Sequence, residues 1–197
     1  MNTTAEQAPP SDAPRNTRLK RSLRGPLRVL SGLDRSLLTQ ARTRGHGSAR
    51  TEQAVSLFSR SGEHAAFWLV LGAAGCALSE PGSYQRRAWR RGLLATAAGW
   101  SANTAIKLTV KRPRPQLDGL PALSPVVSSL SFPSAHATSS FAAAAAYSRA
   151  MPLATPVFYT VAGAFAYSRL YLAVHYPSDV AAGAALGTLT GRLIRVQ

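Results

Sequence analysis

KLTVKRPRP at Lys107–Pro115, FPSAHA at Phe132–Ala137 and SRLYLAVHYPSD at Ser168–Asp179 hold a density of phosphate-handling side chains found nowhere else in the 197 residues. They reduce to K-x6-R-P, P-S-A-H and S-R-x5-H-x3-D, eleven fixed positions in three blocks. Transfer of a phosphoryl group needs donors around its equatorial oxygens, an in-line nucleophile and a proton for the leaving oxygen. Lys107 and Arg114 fall where a helix runs into a loop, and Pro115 disfavours helix at Arg114, so the loop is expected to turn back there. Arg169 comes from the end of another helix. Guanidinium groups contact phosphate oxygens in pairs, while an ammonium acts as a point charge. Ser134 follows Pro133 and precedes an Ala-rich run, which predicts an N-cap. The amides near Ala135 and His136, with the Ser134 hydroxyl, then face an anion at a helix N-terminus.

Around these blocks the composition is apolar. Residues 64–79, 92–106, 119–148, 150–168 and 180–191 contain no Asp, Glu, Lys or Arg. Several fall short of the roughly 20 residues a spanning helix needs. A soluble helix, however, carries charge on one face, and the flanking Arg86, Arg87, Arg90, Arg91, Arg149, Arg192 and Arg195 can snorkel to headgroups. The expected fold is all-α, a polytopic membrane bundle of about five transmembrane helices at 64–80, 91–108, 134–150, 153–172 and 178–195. Gly183, Gly187 and Gly191 recur every four residues on the last, a spacing that lets membrane helices approach closely. The lone Cys76 excludes a disulfide framework and reads as inert packing.

Of the 23 Lys and Arg residues behind the net charge of +15, eleven precede residue 61. Residues 1–25 are rich in Pro, Ser, Thr and Arg and read as a disordered basic tail with no signal-peptide core. Residues 26–60 read as an interfacial amphipathic segment, with Leu27, Leu30, Leu33, Leu37 and Leu38 near helical spacing among basic residues. Residues 61–197 are left as the membrane-embedded catalytic domain. The tail has no aromatic residue to stack on bases, so anionic membrane lipid, and not nucleic acid, is the expected partner.

The three blocks together resemble the type 2 phosphatidic acid phosphatases, lipid phosphatases related to the vanadium-dependent haloperoxidases. The resemblance implies a multi-pass plasma-membrane enzyme that hydrolyses a lipid phosphomonoester or pyrophosphate. By that resemblance His175 is the nucleophile that becomes phosphohistidine, and Asp179 orients it. His136 protonates the leaving alkoxide and later activates water. Lys107, Arg114, Ser134, Ala135 and Arg169 bind the phosphate, although the family more often has Gly at Ala135. Lys111 and Arg112 lie outside the fixed positions and read as headgroup contacts or outlying charge, while His46 and His64 match nothing. No cofactor is implied. No metal is expected either, because the histidines are far apart, no Cys or Glu joins them, and nearby cations repel a divalent ion. GEHAAFW and LSFPSAHATSS resemble small actinobacterial members of the family, which implies a polyprenyl-linked substrate such as decaprenylphosphoryl-5-phosphoribose. Undecaprenyl pyrophosphate, phosphatidylglycerophosphate and phosphatidate are the alternatives. Two other classes compete. A vanadate-dependent haloperoxidase would oxidise bromide, and a non-catalytic basic membrane-binding protein would release no phosphate.

Overall fold

The computed structural model describes residues 31–43, 47–117, 119, 122–124 and 128–194. The expected tail, Leu27, Leu30 and His46 lie outside the described residues. The chain divides into two units, Met1–Leu33 and Asp34–Gln197. Of the first only residues 31–33 are described, and they are helical. The second contains α1 (residues 34–43), α2 (Ala49–Ser61), α3 (Ala66–Leu78), α4 (Tyr84–Val110), α5 (Ala135–Tyr147), α6 (Thr155–Tyr171) and α7 (Pro177–Leu193). Among the described residues the only extended pairing is an isolated bridge between Pro113 and Leu130.

Each of the five uncharged runs contributes one helix, in the expected order. The second of them differs at both ends. The Ser83 hydroxyl accepts the Arg86 amide at 3.1 Å, so α4 starts at Tyr84 and the arginine-rich stretch forms its first two turns. Its other end is Lys111, left-handed at φ 51°, whose amide returns to the Lys107 carbonyl at 3.0 Å. The chain therefore turns three residues before Arg114, ahead of Pro113.

The most buried helix is α5, built almost wholly from Ala, Ser and Thr. Such small side chains let neighbours come close, and α7 comes closest. A Cβ added at Gly183, Gly187 or Gly191 would press on the backbone carbonyl of Ser134, Thr138 or Ala142 respectively. At the far end of α5, Trp68, Trp89, Tyr147, Phe158 and Phe165 pack as one aromatic cluster, with Cys76 against its edge. Two of its polar atoms are paired. The Tyr147 hydroxyl donates to the Trp68 carbonyl at 2.8 Å, and Trp68 Nε1 donates to Ser140 Oγ at 2.8 Å. Arg149 does not snorkel. Its guanidinium donates to the carbonyls of Gly191 and Arg192 at 2.8 Å and of Ile194 at 3.0 Å, closing the C-terminus of α7.

The described part of the segment expected to be one amphipathic stretch, residues 31–43 and 47–60, holds two helices. On α1, Asp34, Leu38 and Arg42 recur every fourth residue and are buried, while Leu37 is 51 % exposed. No helix among the described residues is long and apolar enough to cross a membrane. With 13 residues each, α3 and α5 rise only about 20 Å, and α4, at 27 residues, carries four arginines.

Candidate active site

Three chain segments converge at the α5 N-terminus. Ser134 is its N-cap, fully buried, its hydroxyl accepting the Ala137 amide at 3.5 Å and its own amide donating to the Asp179 carbonyl at 3.0 Å. The following amides of Ala135 and His136 have no intramolecular acceptor among the described residues. Ala135 is not among the positive-φ residues, so alanine stands at this position without strain. Asn103 of α4 braces this turn, donating to the Pro133 carbonyl at 3.2 Å and Thr138 Oγ1 at 3.0 Å.

A cavity of about 240 Å³ opens in front of these amides, lined by Lys107, Arg114, Ala135, His136, Arg169 and His175. Ser134 and Asp179 are set behind that lining, both fully buried. Six of the eight expected site residues thus face one space, and the other two support residues that do. Lys107 Nζ donates to the Leu130 carbonyl at 3.1 Å. The Arg114 fork is held by the carbonyls of Ser128 at 2.6 Å and Val174 at 2.7 Å, with Nη1 3.2 Å from His175 Nε2. A guanidinium can only donate, so His175 Nε2 is the unprotonated nitrogen and Nδ1 carries the hydrogen. That Nδ1 lies 3.5 Å from Asp179 Oδ2 and has no hydrogen-bond partner among the described residues.

Burial, aided by the charges of Arg114 and Arg169, pushes the His175 pKa down to about 3 against the pull of Asp179. The imidazole is therefore neutral at physiological pH. Burial likewise lowers the Arg114 pKa, with Asp179 working the other way.

Sequence reasoning passed over several residues around this cavity. Ser59 of α2 is fully buried between His136 and Arg169. Its carbonyl accepts from His136 Nε2 at 2.9 Å, and its hydroxyl accepts from Arg169 Nη1 and Ser168 Oγ. His64, read as matching nothing, lines the cavity with Glu63 and Trp100. The turn carrying it is unusual, because His64 and Ala65 are both left-handed, at φ 52° and 62°. A second cavity, lined by His64, Ala65, Leu69, Ala97 and Trp100, adjoins the first through His64 and Trp100 and is otherwise apolar. Arg112, read as outlying charge, instead lies between two buried carboxylates, Asp34 and Asp179, at 2.7 Å from each.

The PAP2 superfamily profile matches residues 88–197. Decaprenylphosphoryl-5-phosphoribose phosphatase of Mycobacterium tuberculosis is 38% identical over 178 residues, which is 89% of this chain and 92% of that relative. The phosphatase of the same name from Mycolicibacterium smegmatis is 42% identical over 129 residues, 64% of this chain and 67% of the relative. Two solved structures share the fold. The transmembrane PAP2 type phosphatidylglycerolphosphate phosphatase of Bacillus subtilis superposes with a TM-score of 0.65 at 22% identity, over 84% of each chain. Aquifex aeolicus LpxE superposes with a TM-score of 0.61 at 20% identity, over 81% of this chain and 92% of the other.

Proposed function

The chain belongs to the PAP2 superfamily and is a lipid phosphatase of that type, and from this we propose that it removes the 5-phosphate of a polyprenyl-linked phosphoribose by way of a phosphohistidine. The observation that carries the mechanism is the unprotonated Nε2 of His175, directed at Arg114 in a cavity ringed by cations.

In the first step the Nε2 lone pair attacks phosphorus and the bond to the ribose oxygen breaks. Lys107, Arg114, Arg169 and the α5 amides take up the charge of the equatorial oxygens. The departing oxygen is a primary alkoxide, a poor leaving group, and takes a proton from His136. His136 acts here as the imidazolium: because a carbonyl can only accept, Ser59 keeps the Nε2 hydrogen, while the second hydrogen, on Nδ1, passes to the alkoxide and leaves a neutral ring whose Nδ1 can take the proton from water. In the second step His136 removes a proton from water, which attacks the phosphohistidine and returns His175 with inorganic phosphate. Asp179 steadies the imidazolium character that develops on His175.

The sugar-linked substrate rests on the two mycobacterial relatives and on the cavity mouth, where Glu63, His64 and Trp100 offer a carboxylate, an imidazole and an indole to a hydroxylated ring. Embedding of the α3–α7 bundle in a bilayer is supported by its apolar perimeter, which exposes Val70, Leu78, Leu94, Leu108, Leu153, Val157, Leu189 and Leu193. Phosphate release by purified protein from a panel of lipid phosphates tests the reading. The polyprenyl phosphoribose is expected to exceed phosphatidate and phosphatidylglycerophosphate in kcat/KM by roughly tenfold or more. An equal or reversed preference removes the substrate assignment.

A further inference from the structure

The helix that carries Asp179 is fixed at its start by a residue from far away in the sequence. Asp34 on α1 is 3 % exposed, and its Oδ1 accepts the backbone amide of Ser178, in the first turn of α7, at 2.9 Å. Its Oδ2 accepts from the Ser178 hydroxyl and from Arg112 Nη2, the latter at 2.7 Å. A carboxylate there satisfies a free amide and opposes the positive end of the helix, serving as a cap supplied from another element. The other arm of the same guanidinium, Arg112 Nη1, donates to Asp179 Oδ1 and to Ser178 Oγ, both at 2.7 Å, and the guanidinium carbon stacks 4.1 Å from the Tyr176 ring centre.

These contacts divide the Asp179 carboxylate between two tasks. Oδ1 is held by Arg112, while Oδ2 accepts the Tyr176 amide at 2.9 Å and faces His175 Nδ1. Burial works against the charged form of Arg112, yet its bonds to Asp34 and the charges of both carboxylates raise its pKa, so the bridge stays ionised. Without Asp34 one arm of the guanidinium has no acceptor and one amide of α7 has no cap. The guanidinium that holds Asp179 Oδ1 then has no anchor beyond Ser178 and Asp179 itself, and the Tyr176 amide is the carboxylate's one independently fixed hydrogen-bond partner.

We propose that Asp34 is a positioning residue of the phosphatase, acting through Arg112 and the α7 N-terminus to hold Asp179 in register with His175. The inference rests on the phosphohistidine reading above and extends it to a helix outside the residues the superfamily profile matches. An element that lies in the N-terminal segment therefore belongs to the catalytic apparatus.

The test is single-turnover phosphoenzyme formation by the full chain in detergent micelles, with p-nitrophenyl phosphate as substrate and vanadate as competitor. Because Asp34 touches no cavity-lining residue, Asp34→Asn is expected to slow the rate constant about 10-fold or more while leaving KM and vanadate inhibition within about threefold. Loss of folded protein changes the amplitude of the burst and not its rate constant, so the two are read separately. Asp34→Asn placed on Asp179→Asn is expected to add little, because the two act in one chain of contacts. Should Asp34→Asn fail to fold, Arg112→Lys serves instead. Its side chain is 22 % exposed, and lysine keeps the charge without reaching both carboxylates, so the same slowing is expected. A parental rate constant in Asp34→Asn or Arg112→Lys overturns the proposal, as does full additivity with Asp179→Asn. If the unsubstituted chain forms no phosphoenzyme and releases no phosphate, the phosphatase reading itself falls and takes the proposal with it.

Discussion

His175 and His136 each have one nitrogen assigned by a partner that can act in only one sense: a guanidinium that donates to His175 and a carbonyl that accepts from His136. The roles proposed for them make distinct predictions. His175→Ala is expected to abolish turnover and acid-labile phosphoenzyme, measured by acid-quenched label incorporation, whereas Asp179→Asn slows both by on the order of 10³. His136→Ala is expected to lose most activity on a lipid phosphate and far less in phosphoenzyme formation from p-nitrophenyl phosphate, whose phenolate leaves without a proton. Equal losses on both would reassign His136 to phosphate positioning. The low His175 pKa also bears on stability. Since the folded value of about 3 lies below the ordinary histidine value of 6.5, the unfolded chain binds the proton first, and the neutral histidine's contribution is present above 6.5 and lost as pH falls toward 3. Thermal unfolding in detergent is expected to fall less between about pH 7 and pH 4.5 in His175→Gln than in the parent. At this scale the motif residues were legible because phosphate chemistry demands rare residue types at fixed spacing. Ser59, Asn103 and Asp34 were not, because a serine, an asparagine or an aspartate on a helix has many ordinary explanations and becomes informative only through what it touches across the fold.

Among the elements, the helices were legible as runs without charge, since an uncharged stretch of Ala, Gly and Leu has no solvated face to offer. The start of α4 was hidden by the same criterion. Arg86, Arg87, Arg90 and Arg91 read as charge flanking a span that begins at residue 91, while the capping by Ser83 makes them the first two turns of the helix. The glycine stripe was legible from its four-residue period, but its partner was not, because nothing in the spacing says that α5 lies opposite. The contact makes a clear prediction. Gly187→Ala forces a methyl into the Thr138 carbonyl and is expected to cost about 1–3 kcal/mol, read as a lower unfolding midpoint. Gly163→Ala on α6 meets nothing within 4 Å and is expected to be neutral or to stabilise by up to about 1 kcal/mol through helix propensity. Equal responses from the two would show that the α5–α7 approach is not a tight one.

For the molecule as a whole, the cationic cavity sets expectations for both ions and lipid. Phosphate release is expected to survive EDTA and to be inhibited competitively by vanadate, a five-coordinate mimic of the transition state. Loss in EDTA with recovery on Mg²⁺ would overturn the metal-independent mechanism. The adjoining apolar cavity at Leu69, Ala97 and Trp100 shares His64 and Trp100 with the larger cavity and lies on the flank between α3 and α4, where a lipid tail would fit. A substrate that enters there arrives by diffusion within a film rather than through water. Its effective concentration is then a mole fraction, and adding inert detergent at constant bulk substrate is expected to slow hydrolysis in proportion to the dilution of the surface. A soluble phosphate ester, which does not partition into that film, is expected to be hydrolysed at a rate indifferent to the same addition.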